Sequence, residues 1–206
     1  MYKRRFAVMV ILMLCLALNA ASADQLYKTI SSAYKNISSY QASVKQTNYF
    51  AELKNTINYS GNMYFTPGRL LMHFDKPITQ RMTIEKGKFT LYDAGSNTIY
   101  SSRVSEQYQR MNPLELLQLY WNRSSVSVTK GKGELMNVSL KPKKDAMLQS
   151  ISASVNGKSG IIQSLSYKDH SGNTVKYNFS AIKINKGVPA AVWQYSYPKD
   201  AQRITD

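Results

Sequence analysis

The sequence predicts a mainly β chain with helices, an α+β fold in which ten or eleven antiparallel strands form a single half-barrel closed by a helical lid or plug. Three observations predict it. Apolar residues recur at every second position over much of the chain, the signature of strands with one buried face. Turn residues punctuate it at short intervals, among them Pro67-Gly68, Lys86-Gly87, Asn156-Gly157 and Asn185-Lys186-Gly187, and hairpins this close imply antiparallel order. Two segments keep a helical spacing instead. So many strands in one chain curl into a barrel or half-barrel.

In chain order, Asp24–Ser39 reads as a helix, because Leu26, Ile30, Ala33 and Ile37 fall on one stripe. Tyr40–Phe50 alternates, with Tyr40, Ala42 and Val44 on one side. A polar turn leads to a strand at Ile57–Thr66, and Pro67-Gly68 turns into Arg69–Asp75. Lys76-Pro77 breaks that strand. Thr79–Glu85 and Lys88–Asp93 flank the tight hairpin Lys86-Gly87, and Thr98–Arg103 follows Gly95-Ser96-Asn97. Asn112-Pro113-Leu114-Glu115 starts a second helix: Asn caps, Pro takes the first position and Glu reaches back. Leu114–Trp121 is apolar on nearly all sides, so it must be buried or cover something buried. Strands resume at Ser125–Thr129, Glu134–Leu140, Ile151–Val155, Gly160–Lys168 and Asn173–Ile184. Ala191–Tyr197 is expected to be the last.

Residues 1–23 read as a cleaved signal peptide: Lys3, Arg4 and Arg5, then the apolar run Phe6–Leu18, then Ala21-Ser22-Ala23. Residues 24–206 are expected to form one exported domain. The only cysteine, Cys15, lies in the leader and reads as apolar filler rather than a lipid anchor, so the mature chain has no thiol for redox chemistry, disulfides or metal. Removing three of the 27 basic residues with the leader leaves 24 against 12 acidic ones. Two readings of that excess stand. It attracts an anionic partner such as a membrane surface, or it is a solvated basic surface. Nucleic acid is not expected.

The stretch Gly61–Asp93 is the most informative. Met63 and Phe65, Leu70, Met72 and Phe74, Met82 and Ile84, and Phe89 and Leu91 share one sheet face. It is rich in Met and Phe where strands usually favour Val and Ile, and Met suits a surface that accepts variable apolar shapes. The residues either form a plain core or line a cavity. The cavity reading takes Met63, Phe65, Leu70, Met72, Phe74, Met82, Ile84 and Leu91 as the lining for an apolar ligand, which the resemblance given below makes a lipid, with Leu114, Leu117 and Trp121 on a lid. No catalytic constellation, cofactor motif or metal site stands beside them. His73 and Asp75 share a strand face, but no third group joins them, and His170 lies in a polar turn. There is no G-x-S-x-G elbow, phosphate loop or H-E-x-x-H.

Several segments together resemble the periplasmic outer-membrane lipoprotein carriers of the LolA type. They are Ile37-Ser38-Ser39-Tyr40-Gln41-Ala42-Ser43-Val44-Lys45-Gln46, the run Gly61 to Phe74 with Pro67-Gly68-Arg69-Leu70, and the order Pro77, Gln80, Gly87, Tyr92-Asp93. Asn112-Pro113-Leu114-Glu115-Leu116-Leu117, then Asp169, Gly172, Phe179, Ile182 and Asn185, then Trp193, Tyr195 and Pro198 complete it. The resemblance implies a half-barrel with helices over its open side, and a non-enzymatic, monomeric chaperone. Such a carrier takes acylated lipoproteins from an inner-membrane release complex to an outer-membrane receptor. A lipoprotein-sensing or lipid-binding interaction module of the same fold is the alternative. One position departs from the family: an Arg before the Pro, implicated there in latching the lid, is Thr66 here, and Arg69 lies on a different register. The latch is therefore not carried over.

Overall fold

The computed structural model describes residues 22–104, 117 and 119–206. The leader up to residue 21, including Cys15, and the helix start with Leu114 lie outside them. Among the described residues, no helix is long and apolar enough to cross a membrane.

A helix over residues 22–34 (α1) buries Ala23, Leu26 and Ile30, spaced three and four apart. It ends five residues before the predicted boundary, and Asn185 gives the reason. The Asn185 Oδ1 accepts the backbone N–H groups of Ser38 (2.8 Å) and Ser39 (3.3 Å), while its Nδ2 donates to the Asn36 carbonyl (3.2 Å). One side chain thus draws the chain out of the helix and into the first strand.

The strands are β1 Tyr40–Phe50, β2 Asn55–Thr66, β3 Arg69–Lys76, β4 Gln80–Glu85, β5 Lys88–Asp93, β6 Thr98–Arg103, β7 Ser124–Lys130, β8 Leu135–Pro142, β9 Leu148–Asn156, β10 Ile162–Asp169, β11 Thr174–Ile184 and β12 Gln202–Thr205. They form one open sheet in the order β12-β6-β5-β4-β3-β2-β1-β11-β10-β9-β8-β7. Every pairing is antiparallel except β12 on β6. The hairpins form where the turn residues demand them. Lys86 and Gly87 both take positive φ (49° and 73°), as a two-residue hairpin of matching twist requires. Gly61 is fixed by close approach: a Cβ there would lie 1.9 Å from the His73 carbonyl oxygen, at the bulge between β2 and β3.

The sheet has two faces. The inner face carries the main core, closed by α1 and by Leu117 and Trp121. On the outer face, Tyr92, Ile99 and Ala201 form a smaller cluster with Ala94 and Tyr197.

The predicted final strand, Ala191–Tyr197, is corrected. Ala190–Trp193 is a 3-10 turn, and the chain beyond it joins no ladder until β12. Its alternating rings lie on the outer face instead. The Arg69 guanidinium sits 4.4 Å over the Trp193 ring, and Tyr195 and Tyr197 pack on Tyr92. The segment then adds β12 beside β6, bringing the count among the described residues to twelve where ten or eleven were expected.

Candidate functional site

Strand alternation and register assemble the site in rows across the sheet. Met63 on β2 stands opposite Met72 on β3, which stands opposite Met82 on β4, which stands opposite Leu91 on β5. The next row runs Phe65, Leu70, Ile84, Phe89 by the same pairings. Neighbouring strands lie about 4.8 Å apart, so the first row sets three unbranched thioether side chains and a leucine shoulder to shoulder.

Met63, Phe65, Leu70, Met72 and Phe74 are buried in the main core, and Met82 and Ile84 pack against it half-buried. Leu91 is half-buried and stands outside that cluster, beside Tyr100, which is 40% exposed. The apolar lining thus thins towards β5 and β6. Leu117 and Trp121 join the same core, with Trp121 against Tyr27 of α1 (ring centroids 5.3 Å). Leu114 lies outside the described residues. The cover is fastened at one end, where the Tyr120 hydroxyl donates to Asp145 Oδ2 (2.9 Å) and the Lys143 N–H to the Arg123 carbonyl (2.9 Å).

Sequence reasoning took the lining from β2–β5 alone. The structure extends it across the sheet. Val128, Val138, Leu140, Ile151, Val155 and Leu165 on β7–β10 belong to the same core. The signal was present in their period-two spacing, but these strands have the ordinary β-branched content of a sheet interior and nothing singled them out.

At the end of the inner face Asp93 alternates with Leu91 and is bonded to Gln80. Phenols lie among the core side chains, and burial favours their neutral form. Desolvation pushes Tyr34 up to about 12, against the opposing hydrogen bond its oxygen accepts from the Ile162 N–H (3.0 Å). Tyr40, Tyr167 and Tyr177 are raised by the same cause. Ser124 is buried with its hydroxyl unpartnered.

The arginines and the His73–Asp75 pair lie on the other face of β3–β5. Arg81 is 4% exposed and donates to the Val192 carbonyl (2.8 Å), with its guanidinium 4.7 Å from the Tyr195 ring. His73 Nε2 sits 3.2 Å from Asp75 Oδ1, beneath Tyr195, and its cross-strand neighbour is Arg81. The pair foreseen at His73 and Asp75 exists, but the sheet separates it from the apolar rows. Thr66 pairs with Arg69 at the end of the β2–β3 hairpin. The Arg69 guanidinium is already held by both oxygens of Glu85 (3.1 and 3.3 Å) and stacked on Trp193, so it has no reach to the inner cover. Among the described residues, no group of three His, Cys, Asp or Glu is placed to hold a metal ion.

Residues 35–196 match the family model described as outer membrane lipoprotein carrier protein LolA. An outer-membrane lipoprotein carrier protein of Pseudomonas putida (strain GB-1) is 25% identical over 210 residues, covering 97% of this chain and 99% of the relative. One from Pseudomonas fluorescens (strain Pf-5) is 27% identical over 146 residues, 68% of each chain. Among solved structures, an uncharacterized conserved protein from Thermus thermophilus shares the fold, with a TM-score of 0.58 at 13% identity, covering 90% of this chain and 99% of that one.

Proposed function

The chain belongs to the outer membrane lipoprotein carrier (LolA) family, and from that premise we propose that it is a periplasmic, non-enzymatic carrier for acylated lipoproteins. In this reading the sheet is a half-barrel, α1 and the segment ending at Trp121 are its lid, and acyl chains lie along the inner face. The carrier accepts cargo from a release complex in the inner membrane and passes it to a receptor at the outer membrane.

The observation that carries the reading is the row Met63, Met72, Met82, Leu91 under an apolar cover. Thioether side chains with several rotatable bonds re-pack around a guest without a fixed shape. The energies allow exchange. Each buried methylene of an acyl chain is worth about 0.8 kcal/mol, and each large cover side chain about 1.5–3 kcal/mol. A long acyl chain of about 15 methylenes, at about 12 kcal/mol, therefore outweighs Leu117 and Trp121 together, at about 3–6 kcal/mol, and displaces them. Release then needs an acceptor that offers the acyl chain another apolar site.

The test is titration of the protein with a fluorescent long-chain acyl probe, together with mass spectrometry of material that co-purifies from its native envelope. Saturable 1:1 binding and co-purified acylated polypeptide are expected. Absence of both would sink the proposal. A stable partner retained regardless of acylation would favour a sensing module instead.

A further inference from the structure

The row that begins at Arg69 crosses four strands as Arg69, Glu85, Lys88, Arg103. Glu85 is taken up by Arg69, which leaves Lys88 directly opposite Arg103 on adjacent antiparallel strands. Like charges in that position destabilise a sheet. A third cation, Lys86, sits in the hairpin beside them. None of the three forms an ion pair among the described residues, whose ion pairs are Arg69–Glu85, His73–Asp75 and Lys158–Glu134.

These three cations line one cavity of about 580 Å³, with Gly87, Ser101, Ser102, Val104, Thr205 and Asp206. Ser101 and Thr205 are register partners across β6 and β12, so the late strand β12 supplies one wall and two hydroxyls meet there. Among the described residues of the lining, Asp206 brings the one acidic side chain, against three cationic ones. By alternation, Lys88 and Arg103 lie on the outer face with Tyr92 and Ile99, away from the methionine row. The cations of the cavity therefore lie away from the methionine row, while Ser102, opposite Phe89, reaches the other face, and the volume falls in the range of small-molecule sites.

We propose that this cavity binds a phosphate group, carried by a lipid headgroup or by a soluble ester. Arg103 offers the planar fork that grips phosphate oxygens in pairs, and Lys86 and Lys88 add point charges. The hydroxyls of Ser101 and Thr205 supply neutral donors. The like-charge pair disfavours the β5–β6 pairing by itself, and a bound phosphate would neutralise it.

The test uses calorimetric titration with inorganic phosphate and glycerol phosphate, and sedimentation with vesicles of phosphatidylglycerol or of phosphatidylcholine. The wild-type protein should bind phosphate saturably. The double variant Lys88→Gln/Arg103→Gln should bind at least about tenfold more weakly. A control, Lys130→Gln/Lys132→Gln, removes the same net charge elsewhere and should bind as wild type. Without phosphate, Lys88→Gln should raise the thermal midpoint, since it relieves repulsion, while weakening binding; a purely structural lysine would not move the two in opposite senses. Phosphatidylglycerol capture that free phosphate competes away identifies a headgroup. Binding of free phosphate without vesicle capture identifies a soluble ester. Equal weakening in both double variants, or no saturable binding, overturns the site.

Discussion

The same strands, β3 to β5, are covered on both faces, and the two covers are built differently. On the inner face Met72 and Met82 belong to one apolar cluster with Leu26 and Ile30 of α1, Leu117 and Trp121. On the outer face the C-terminal segment is tied down by named directional bonds: Arg81 to the Val192 carbonyl, Arg69 stacked on Trp193, rings of Tyr92, Tyr195 and Tyr197 in mutual contact, and β12 laddered to β6. Apolar contact is non-directional, so another apolar group of the right size replaces it at little cost. A buried guanidinium that loses its carbonyl has no substitute. In the proposed function the difference separates an exchangeable cover from a fixed one, on opposite faces of one sheet.

The largest effect should come from placing a charge under the exchangeable cover. Met72→Asp puts a carboxylate at a position 3% exposed. It should destabilise the fold by about 3 kcal/mol or more, read from urea midpoints, and weaken the acyl probe at least about 100-fold. Retained binding in a folded Met72→Asp protein would break the comparison, since the inner face would then not be the site. Next is Arg81→Ala. Backbone amides of residues 189–205 should exchange with solvent about tenfold faster, while acyl-probe affinity stays within about twofold of wild type. Loss of probe binding here would show that the two covers are coupled.

The smallest effect tests what the covers share. Asp93, Asp145 and Asp169 close turns at one end of the sheet, and all three carboxyls lie below the usual carboxylate range. Burial opposes ionisation at Asp93, but hydrogen bonds from Gln80 and Ser96 outweigh it. At Asp145 the Leu148 N–H is the main cause, and at Asp169 the Asn173 side chain. A depressed folded pKa contributes stability above the unfolded value near about 4, and that stability is lost as pH falls through the folded value. The urea midpoint should therefore hold from pH 7 to 5 and fall below about pH 4. A midpoint that rises on acidification would contradict the turn assignments.

Most of this was legible in the sequence, for reasons that also explain the misses. Hairpins were readable because their turns need specific residues, as at Lys86-Gly87. The inner face was readable because Met63, Met72 and Met82 keep strict alternation. The outer cover was hidden. Trp193, Tyr195 and Tyr197 also alternate, and alternation alone does not distinguish a strand in a ladder from an extended segment laid across a face. One signal was available: Leu70, Leu71 and Met72 are consecutive and all buried, which means that β3 is covered on both sides. β12 gave no signal, since all four of its residues are exposed and backbone pairing holds it.

The strand order has a kinetic consequence. β1 through β6 are each paired with their neighbours in sequence, and so are β7 through β11. The two runs meet only where Tyr40 faces Ile184 and the residues after it continue the seam. Each run is a chain of local hairpins with low contact order, quick to form, whereas the seam closes a loop of most of the chain and must wait for it. Late-forming contacts govern unfolding more than folding. The lifetime of the native protein is thus written in the β1–β11 seam, at pairs such as Val44 and Phe179, one strand from the methionine row, whose Met63 faces Ala42 of β1.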